Sequence, residues 1–440
     1  KLQTMKTLIK NITIVNEGCE TLGNVLIDGE NIVRVTTDNI ETDSDKIING
    51  SGKLLFPGVI DSHVHFRDPG LTHKGDIESE SAAAVAGGVT SYMDMPNTSP
   101  QTTNMSEWEA KMSRAQEISH ANYSFWLGAT NDNIDTLLKA DYKNICGIKL
   151  FMGSSTGNML VDNNEILEKL FAEAPVIIAA HCEDETIIKN NLATARNKWG
   201  EDVPWAEHAN IRSHEACYKS SAKAVELARR HNTKFHLCHI STAEEIELLK
   251  GNNITGEVSP NHLTLNDSQY ITKGSKMKCN PSIKSENDRQ ALVKAVAERR
   301  ITTIATDHAP HTEEEKQGRY FKAPSGMPSI QHSLVAMLEF VSQGQMNYTT
   351  IADAMAHAPA KLFDIEQRGY ICEGYKADLV IVERLQKPQE IANLYKCGWS
   401  PMDGMKFSHK VCTTFVNGKE AYNNGIVNKE TKGQPLTFKR

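Results

Sequence analysis

The chain has 440 residues, 39% apolar and 23% charged, with 28 glycines and 15 prolines, which excludes a disordered or fibrous chain and indicates a soluble globular protein with a sizeable core. Its net charge of -7 offers no basic footprint for nucleic acid or an anionic membrane surface, so any anionic ligand must be drawn by local cations. Nine cysteines with no CxxC pair read as reduced thiols of a cytoplasmic protein, no apolar run approaches the roughly 18 residues of a membrane span, and residues 1–10 lack the apolar stretch of a secretory signal.

Residues 6–56 read as short strands at 7–15, 24–27 and 32–35, with an Asp28-Gly29 turn between the last two. From Pro57 the pattern changes to apolar runs, each followed by a helix-like stretch: 58–65, 89–96, 123–129, 145–152, 176–181, 234–240, 254–258 and 301–307. Helical spacing marks 286–299 and 106–118, the latter opening on a Ser-x-x-Glu capping box at Ser106 and Glu109. Eight strand-helix units within 57–365 are the arithmetic of a (β/α)8 TIM-like barrel, an α/β fold. Short strands return at 378–382, 411–417 and 419–422, the last two flanking an Asn417-Gly418 turn. The β-rich ends, 1–56 and 366–440, are each too small to bury much alone, so they are predicted to pair into one composite β-sandwich domain.

The densest polar group in these runs is Asp61-Ser62-His63-Val64-His65-Phe66-Arg67, at the carboxyl end of the first barrel strand. A strand repeat of two places His63, His65 and Arg67 on one face, which at that end of a barrel turns into the active-site mouth. Two histidines at i and i+2 suit joint ligation of a metal, whereas an isolated one is more often a packing residue. Lys149, His181, His239 and Asp307 also end barrel strands, on runs four, five, six and eight. Singly, His181 reads more readily as a satisfied core histidine than as a ligand, and Lys149 as a surface or ion-paired group. Together, four histidines, an aspartate and a lysine converge on one rim, as a metal-dependent active site requires.

This strand-by-strand set resembles the amidohydrolase superfamily, over the whole chain and including the split β domain, and within it the cyclic amide hydrolases. The resemblance implies one metal held by His63, His65 and Asp307, a second by His181 and His239, and Lys149 bridging both. Zinc, at one or two ions per chain with two expected, suits imidazole plus carboxylate; Mn, Co or Fe fit such a set as well. An ammonium has no lone pair to offer a cation, and the family's answer is carboxylation of the lysine by CO2. The setting of Lys149 in Gly147-Ile148-Lys149-Leu150-Phe151-Met152, an apolar strand otherwise without charge, argues against a surface lysine. Some relatives use an aspartate from the following loop instead; residues 153–160 hold none before Asp162, which favours the carboxylated lysine. Asp307, opening Asp307-His308-Ala309-Pro310-His311, is expected to act as general base and acid, a structural loop cap being the alternative.

Two metals sharing a hydroxide suit attack on an unactivated amide carbonyl, which defines a reaction class and not a substrate. For the substrate, three residues resemble the dihydroorotase family: Arg67 in His65-Phe66-Arg67-Asp68-Pro69-Gly70, Asn97 in Met95-Pro96-Asn97-Thr98, and His311. The resemblance implies reversible hydrolysis of the dihydroorotate ring amide to N-carbamoyl-L-aspartate, in pyrimidine synthesis. A guanidinium at Arg67 would clamp a carboxylate bidentately; dihydroorotate carries one, and hydantoins, dihydrouracil and allantoin do not. Asn97 and His311 would complete the anion site, and backbone groups near Asn280 and Pro281, and near Ser325 and Gly326, would fix the ring amides. His262, after the seventh strand, reads as structural. The rival readings are a dihydropyrimidinase, hydantoinase or allantoinase activity, and a non-catalytic structural relative, against which the complete ligand set stands. No Gly-x-Ser-x-Gly elbow supports a serine hydrolase. A homo-oligomer, and closure of loop 153–160 over the substrate, are compatible with this reading.

Overall fold

The computed structural model describes residues 5–153 and 159–440; residues 154–158, on which closure of the 153–160 loop turns, lie outside the described residues. Five strands open the chain: β1 (Lys6–Asn16), β2 (Cys19–Asp28), β3 (Asn31–Thr36), β4 (Lys46–Asn49) and β5 (Lys53–Pro57). The apolar runs that follow form β6 (Val59–Val64), β7 (Val89–Asp94), β8 (Asn122–Phe125), β9 (Leu127–Gly128), β10 (Ile148–Met152), β11 (Ile178–Cys182), β12 (Phe235–Leu237), β13 (Ile254–Val258) and β14 (Thr303–Ile304). Each pairs in parallel with its neighbour in chain order, as β6-β7-β8 and as β9 through β14. The run at 123–129 is one strand interrupted at Trp126, whose indole donates to Ser62 O at 3.0 Å from inside the barrel. The ring closes where Val64 bridges His308 in parallel and the His65 amide donates to His308 O at 2.7 Å. Counting β8 and β9 together, eight strands make a (β/α)8 barrel, and both faces of these strands are buried, as continuous apolar runs require.

Helices lie between the strands. The helix Met105–Ile118 starts earlier than the capping box at Ser106 predicts: Asn104 is the N-cap, its side-chain oxygen accepting from the Glu107 amide. Asparagine is among the strongest N-caps, and it precedes the serine in the chain. The helix Glu286–Ala297 falls within the predicted 286–299.

The two ends of the chain pair as expected. β15 (Leu379–Gln389), β16 (Phe407–Val416), β17 (Lys419–Asn423) and β18 (Ile426–Val427) join the opening strands in one nine-stranded sheet, ordered β18-β17-β16-β15-β5-β1-β2-β3, with β4 on β1. β5 is the seam, parallel to β1 and antiparallel to β15. The sheet curls over a single core to which Ile9, Val25, Ile32, Leu379 and Phe415 all contribute. Its curvature brings the turn at Gly418 against the turn at Gly29, where a β-carbon on Gly418 would meet Gly29 O at 1.9 Å. The last residues, expected with this domain, leave it for the amino-terminal end of the barrel. There Leu436 and Phe438 pack with Phe363, Ile365 and Trp126, and Arg440 donates to the carbonyls of Ile145 and Cys146 at 2.8 and 2.7 Å. That end is plugged by apolar side chains, which leaves the carboxyl ends of the strands as the open mouth. All nine cysteines are free, and among the described residues no helix is long and apolar enough to cross a membrane.

A buried polar knot ties the sheet to the barrel. Asp378, just before β15, pairs with the Arg368 guanidinium, accepts from Asn122 of β8 at 3.1 Å and takes the Asn417 amide at 2.8 Å. Asn417 in turn accepts from Arg368 and donates to Asn122, both at 2.8 Å. Removing one partner of a buried pair leaves the other charge uncompensated, at a cost of about 3–5 kcal/mol. Asp378→Ala is therefore expected to lower the unfolding free energy measured by urea denaturation by an amount in that range, and a change below about 1 kcal/mol would show that the knot is not what joins the two parts.

Candidate metal centre and its pocket

All twelve residues singled out from the sequence line one cavity of about 320 Å³ at the carboxyl ends of the barrel strands: His63, His65, Arg67, Asn97, Lys149, His181, His239, Asn280, Asp307, His311, Ser325 and Gly326. They reach it by different routes. His63, Lys149 and His181 project from β6, β10 and β11 themselves. His65 follows the end of β6 by one residue, His239 lies two beyond β12, and Asp307 three beyond β14. Strand alternation does not carry Arg67 to the rim, as the sequence suggests it would; a left-handed turn with φ of 67° does. His239 and Asp307 share that backbone region, at φ of 34° and 50°. For non-glycine residues it is disfavoured by about 1 kcal/mol each, and is held by the surrounding barrel.

Three of the four histidines have one ring nitrogen occupied and the other turned inward. His63 Nδ1 bonds the buried Glu257 carboxylate, and its Nε2 lies 3.3 Å from Asp307 Oδ1. His65 Nδ1 faces Asn97 Oδ1 at 2.9 Å and its Nε2 sits 3.0 Å from the same Asp307 oxygen. His181 Nε2 bonds Glu183 at 2.9 Å, which leaves Nδ1 at 2.9 Å from His239 Nε2. The outward bonds set which nitrogen offers its lone pair. Glu257 also holds His236 at 3.2 Å, and Glu183 is paired with Arg212.

These donors fit metal ions. The ligand atoms of His63, His65 and Asp307 all lie within 4.8 Å of one another. Against burial and the Lys149 charge, Glu257 and Asp307 push His63 up to about 10, so the pocket demands a positive charge that a cation would supply. Burial opposes the charged form of Asp307, yet His63, His65 and His239 hold its carboxyl well below the usual range. Burial draws His65 down to about 4. Lys149 is fully buried, its Nζ 3.1 Å from Cys238 Sγ and 5.1 Å from the Phe151 ring centre, with no carboxylate ion-paired to it among the described residues. A buried amine so poorly satisfied fits conversion to an anionic ligand better than a structural role.

The side of the cavity at Arg67 and His311 carries positive charge. Arg67 donates to Pro310 O at 3.0 Å and lies 3.1 Å from His311 Nε2. Burial lowers its guanidinium to about 10, still charged at neutral pH, and no carboxylate is ion-paired with it among the described residues. Asn280 presents a buried side-chain oxygen with no hydrogen-bond partner among the described residues. Its open acceptor is thus on the side chain, whereas the sequence points to the backbone there. Gly326 has φ of 144°, and a β-carbon on it would meet Ala309 O at 2.5 Å, so the position admits no side chain. Its amide and carbonyl are already engaged by Lys278 O and Lys316 Nζ, at 2.9 and 3.0 Å. His262 is held by Ser259 Oγ and Pro281 O at 2.8 and 3.2 Å, as a structural histidine would be.

Sequence reasoning missed Glu257, Glu183 and Arg212. The first two carried a signal: Glu257 is a carboxylate inside an apolar strand, the same anomaly as Lys149, and Glu183 follows His181 by the strand repeat of two. Arg212 arrives from a helical excursion between β11 and β12 and carried none.

Comparison with known proteins gives two sets of relatives. The amidohydrolase family model matches residues 54–421. Curated relatives include dihydroorotases of Pyrococcus furiosus, 33% identical with 95% of this chain and 93% of that one covered, and of Lactobacillus johnsonii, 30% identical with 96% and 100% covered. Solved structures include the L-hydantoinase (dihydropyrimidinase) of Arthrobacter aurescens, TM-score 0.94 at 25% identity over 98% and 99% of the two chains. The dihydropyrimidinase of Brevibacillus agri superposes with TM-score 0.91 at 25% identity over 99% and 100%.

Because Glu257 fixes His63, Glu257→Gln is expected to weaken metal retention by roughly ten- to a hundredfold. Chelator competition followed by elemental analysis measures this, and unchanged retention would remove Glu257 from the orienting role.

Proposed function

The chain belongs to the amidohydrolase family, and from that premise we propose that it is a dihydroorotase, opening the ring amide of dihydroorotate to N-carbamoyl-L-aspartate and closing it in reverse. The observation that carries the reading is Arg67, a buried cation facing the cavity that donates to a carbonyl, lies beside a neutral imidazole and has no carboxylate ion-paired with it among the described residues. A ring bearing a carboxylate compensates that charge directly; a hydantoin or dihydrouracil leaves it only the longer-range attraction of Asp307, Asp94 and Glu315. The dihydroorotase names of the sequence relatives support the same reading. A second reading, hydrolysis of neutral cyclic amides, is favoured by the names of the solved neighbours, and it leaves Arg67 without a role.

In this proposal His63, His65 and Asp307 would hold one zinc ion and His181 and His239 a second, and Lys149, carboxylated on Nζ, would supply a further anionic ligand. Bound there, such ions lower the pKa of water and polarise the scissile carbonyl. The chain's own residues do the rest. Arg67 and His311 take the substrate carboxylate and so orient the ring. Asn280 Oδ1 accepts a ring N–H, the partner its buried oxygen lacks. Asp307 takes the proton of the attacking water and delivers it to the departing amide nitrogen, so the base of one half-reaction is the acid of the next. A cytoplasmic setting and assembly of identical chains belong to the same reading.

Assay of the purified protein on N-carbamoyl-L-aspartate and on dihydrouracil tests the substrate; turnover of the neutral ring alone would sink the proposal. Arg67→Met is expected to raise KM for carbamoyl-aspartate about ten- to a hundredfold, the worth of a charge-assisted hydrogen bond. Asp307→Asn is expected to lower kcat by about a hundred- to ten-thousandfold with metal retained, and a variant of near-normal rate would take the proton-transfer role from it.

A further inference from the structure

Behind His311, on the side away from the cavity, stands a group that neither the motif nor the proposed mechanism uses. Lys74, in the turn that precedes the helix Ile77–Ala86, places Nζ 3.0 Å from His311 Nδ1 and 3.1 Å from Glu315 Oε1. The other nitrogen of the ring, Nε2, lies 3.0 Å from Ser325 O and 3.1 Å from an Arg67 nitrogen. A neutral imidazole carries one proton, so the three contacts of the ring cannot all be hydrogen bonds, and the two tautomers can be weighed.

With the proton on Nε2, Nδ1 accepts from the Lys74 ammonium and Nε2 donates to Ser325 O; the remaining contact sets two donors, Nε2 and Arg67, side by side. With the proton on Nδ1, Nε2 accepts from Arg67, but a donor then faces the Lys74 ammonium and a lone pair faces Ser325 O. In that case Nδ1 would have to donate to Glu315 Oε2, 3.5 Å away and already accepting from the Thr312 amide at 3.0 Å. An ammonium has no lone pair with which to change sides, and its pairing with Glu315 supports its charge. A doubly protonated ring is opposed by burial first and then by Arg67, Lys74 and Lys316, which together hold His311 well below its ordinary range.

We propose that Lys74 is a positioning residue that fixes His311 as an Nε2–H donor, so that His311 and Arg67 present adjacent donors to the carboxylate of the substrate. The juxtaposition of two donors at 3.1 Å is then a half-built anion site: an oxygen placed between them accepts from both. The inference rests on the dihydroorotase reading for the identity of the anion; the tautomer rests on the contacts around the ring alone.

Two measurements test it, the first independent of activity. In protein labelled with 15N-histidine, with the His311 signals assigned by their loss in His311→Gln, the wild-type ring is expected to show the Nε2–H pattern of a neutral imidazole. Lys74→Met is expected to move it toward a tautomer mixture, and Lys74→Arg to restore it. A wild-type Nδ1–H pattern, or one that Lys74→Met leaves unchanged, overturns the proposal even if the enzyme is a dihydroorotase. The second is a kinetic cycle. Lys74→Met alone is expected to raise KM for N-carbamoyl-L-aspartate roughly tenfold while kcat falls less than about threefold, and to add nothing in a His311→Asn background. Independent, multiplicative effects of the two substitutions would show that Lys74 does not act through His311. Absence of turnover of carbamoyl-aspartate by the wild-type protein would instead strike the substrate reading and leave the NMR result to decide the tautomer.

Discussion

The closure of the barrel between its first and last strands is the constraint on which the site depends. Val64 and His308 are 244 residues apart in the chain and are joined by a single parallel bridge and the His65 amide bond to His308 O. Without that contact His63 and His65 belong to one edge of an open sheet and Asp307 to the other. With it, both imidazoles meet the same Asp307 oxygen at 3.0 to 3.3 Å. The seam has its own buried support, because Asp61 accepts from Thr306 at 2.6 Å across it, and His308 is bonded to Glu80 at 2.8 Å. Loop-closure entropy grows only slowly with separation, so the large sequence distance burdens the closed ring mainly in folding speed.

Once closed, the cavity is divided by sign. Glu257, Glu183 and Asp307 gather behind or among the histidines, on the side where a cation fits. Arg67, Lys74, Lys278 and Lys316 gather on the other. The last two make no bond to a carboxylate among the described residues. Lys316 donates to the carbonyls of Lys278, Pro324 and Gly326, and Lys278 to those of Tyr320 and Ala323. Burial lowers them to about 7 and about 8. Four carbonyl oxygens of the segment 320–326 and that of Lys278 thus join the loops after strands seven and eight, using peptide dipoles where carboxylates would have cancelled the positive charge.

Legibility in the sequence followed the same physics. A histidine, lysine or aspartate at the end of an apolar run stands out because burial of a charge must be compensated, but His181 and Lys149 were ambiguous singly, and it was the convergence of His63, Lys149, His181 and Asp307 on one barrel rim that made them legible. Pairing of the two β-rich ends was readable because neither could bury a core alone. Less accessible were features decided by local backbone competition, such as Asn104 taking the cap from Ser106, and by side-chain contacts between distant segments. Arg67 was placed correctly for an incorrect reason: alternation predicted the face, and a left-handed turn delivers it. Lys74 had no signal, since a lysine in a polar turn resembles any surface lysine until His311, 237 residues away, is folded onto it.

The two sets of relatives point to different substrates, and the structure explains why both resemblances can hold. A backbone superposition is governed by eight strands, their helices and the split sheet, all of which serve any chemistry performed at that mouth. Substrate choice depends on what stands just beyond the strand ends. Arg67 lies two residues past a histidine expected to hold metal, on a turn whose φ does not depend on its side chain, and His311 lies four past Asp307. Replacing either alters no strand, no core contact and no proposed ligand. Exchange of an anionic ring for a neutral one therefore need not move the fold, and under the proposed function the side chain at position 67 bears on the substrate more directly than the near-complete overlap of the rest of the chain.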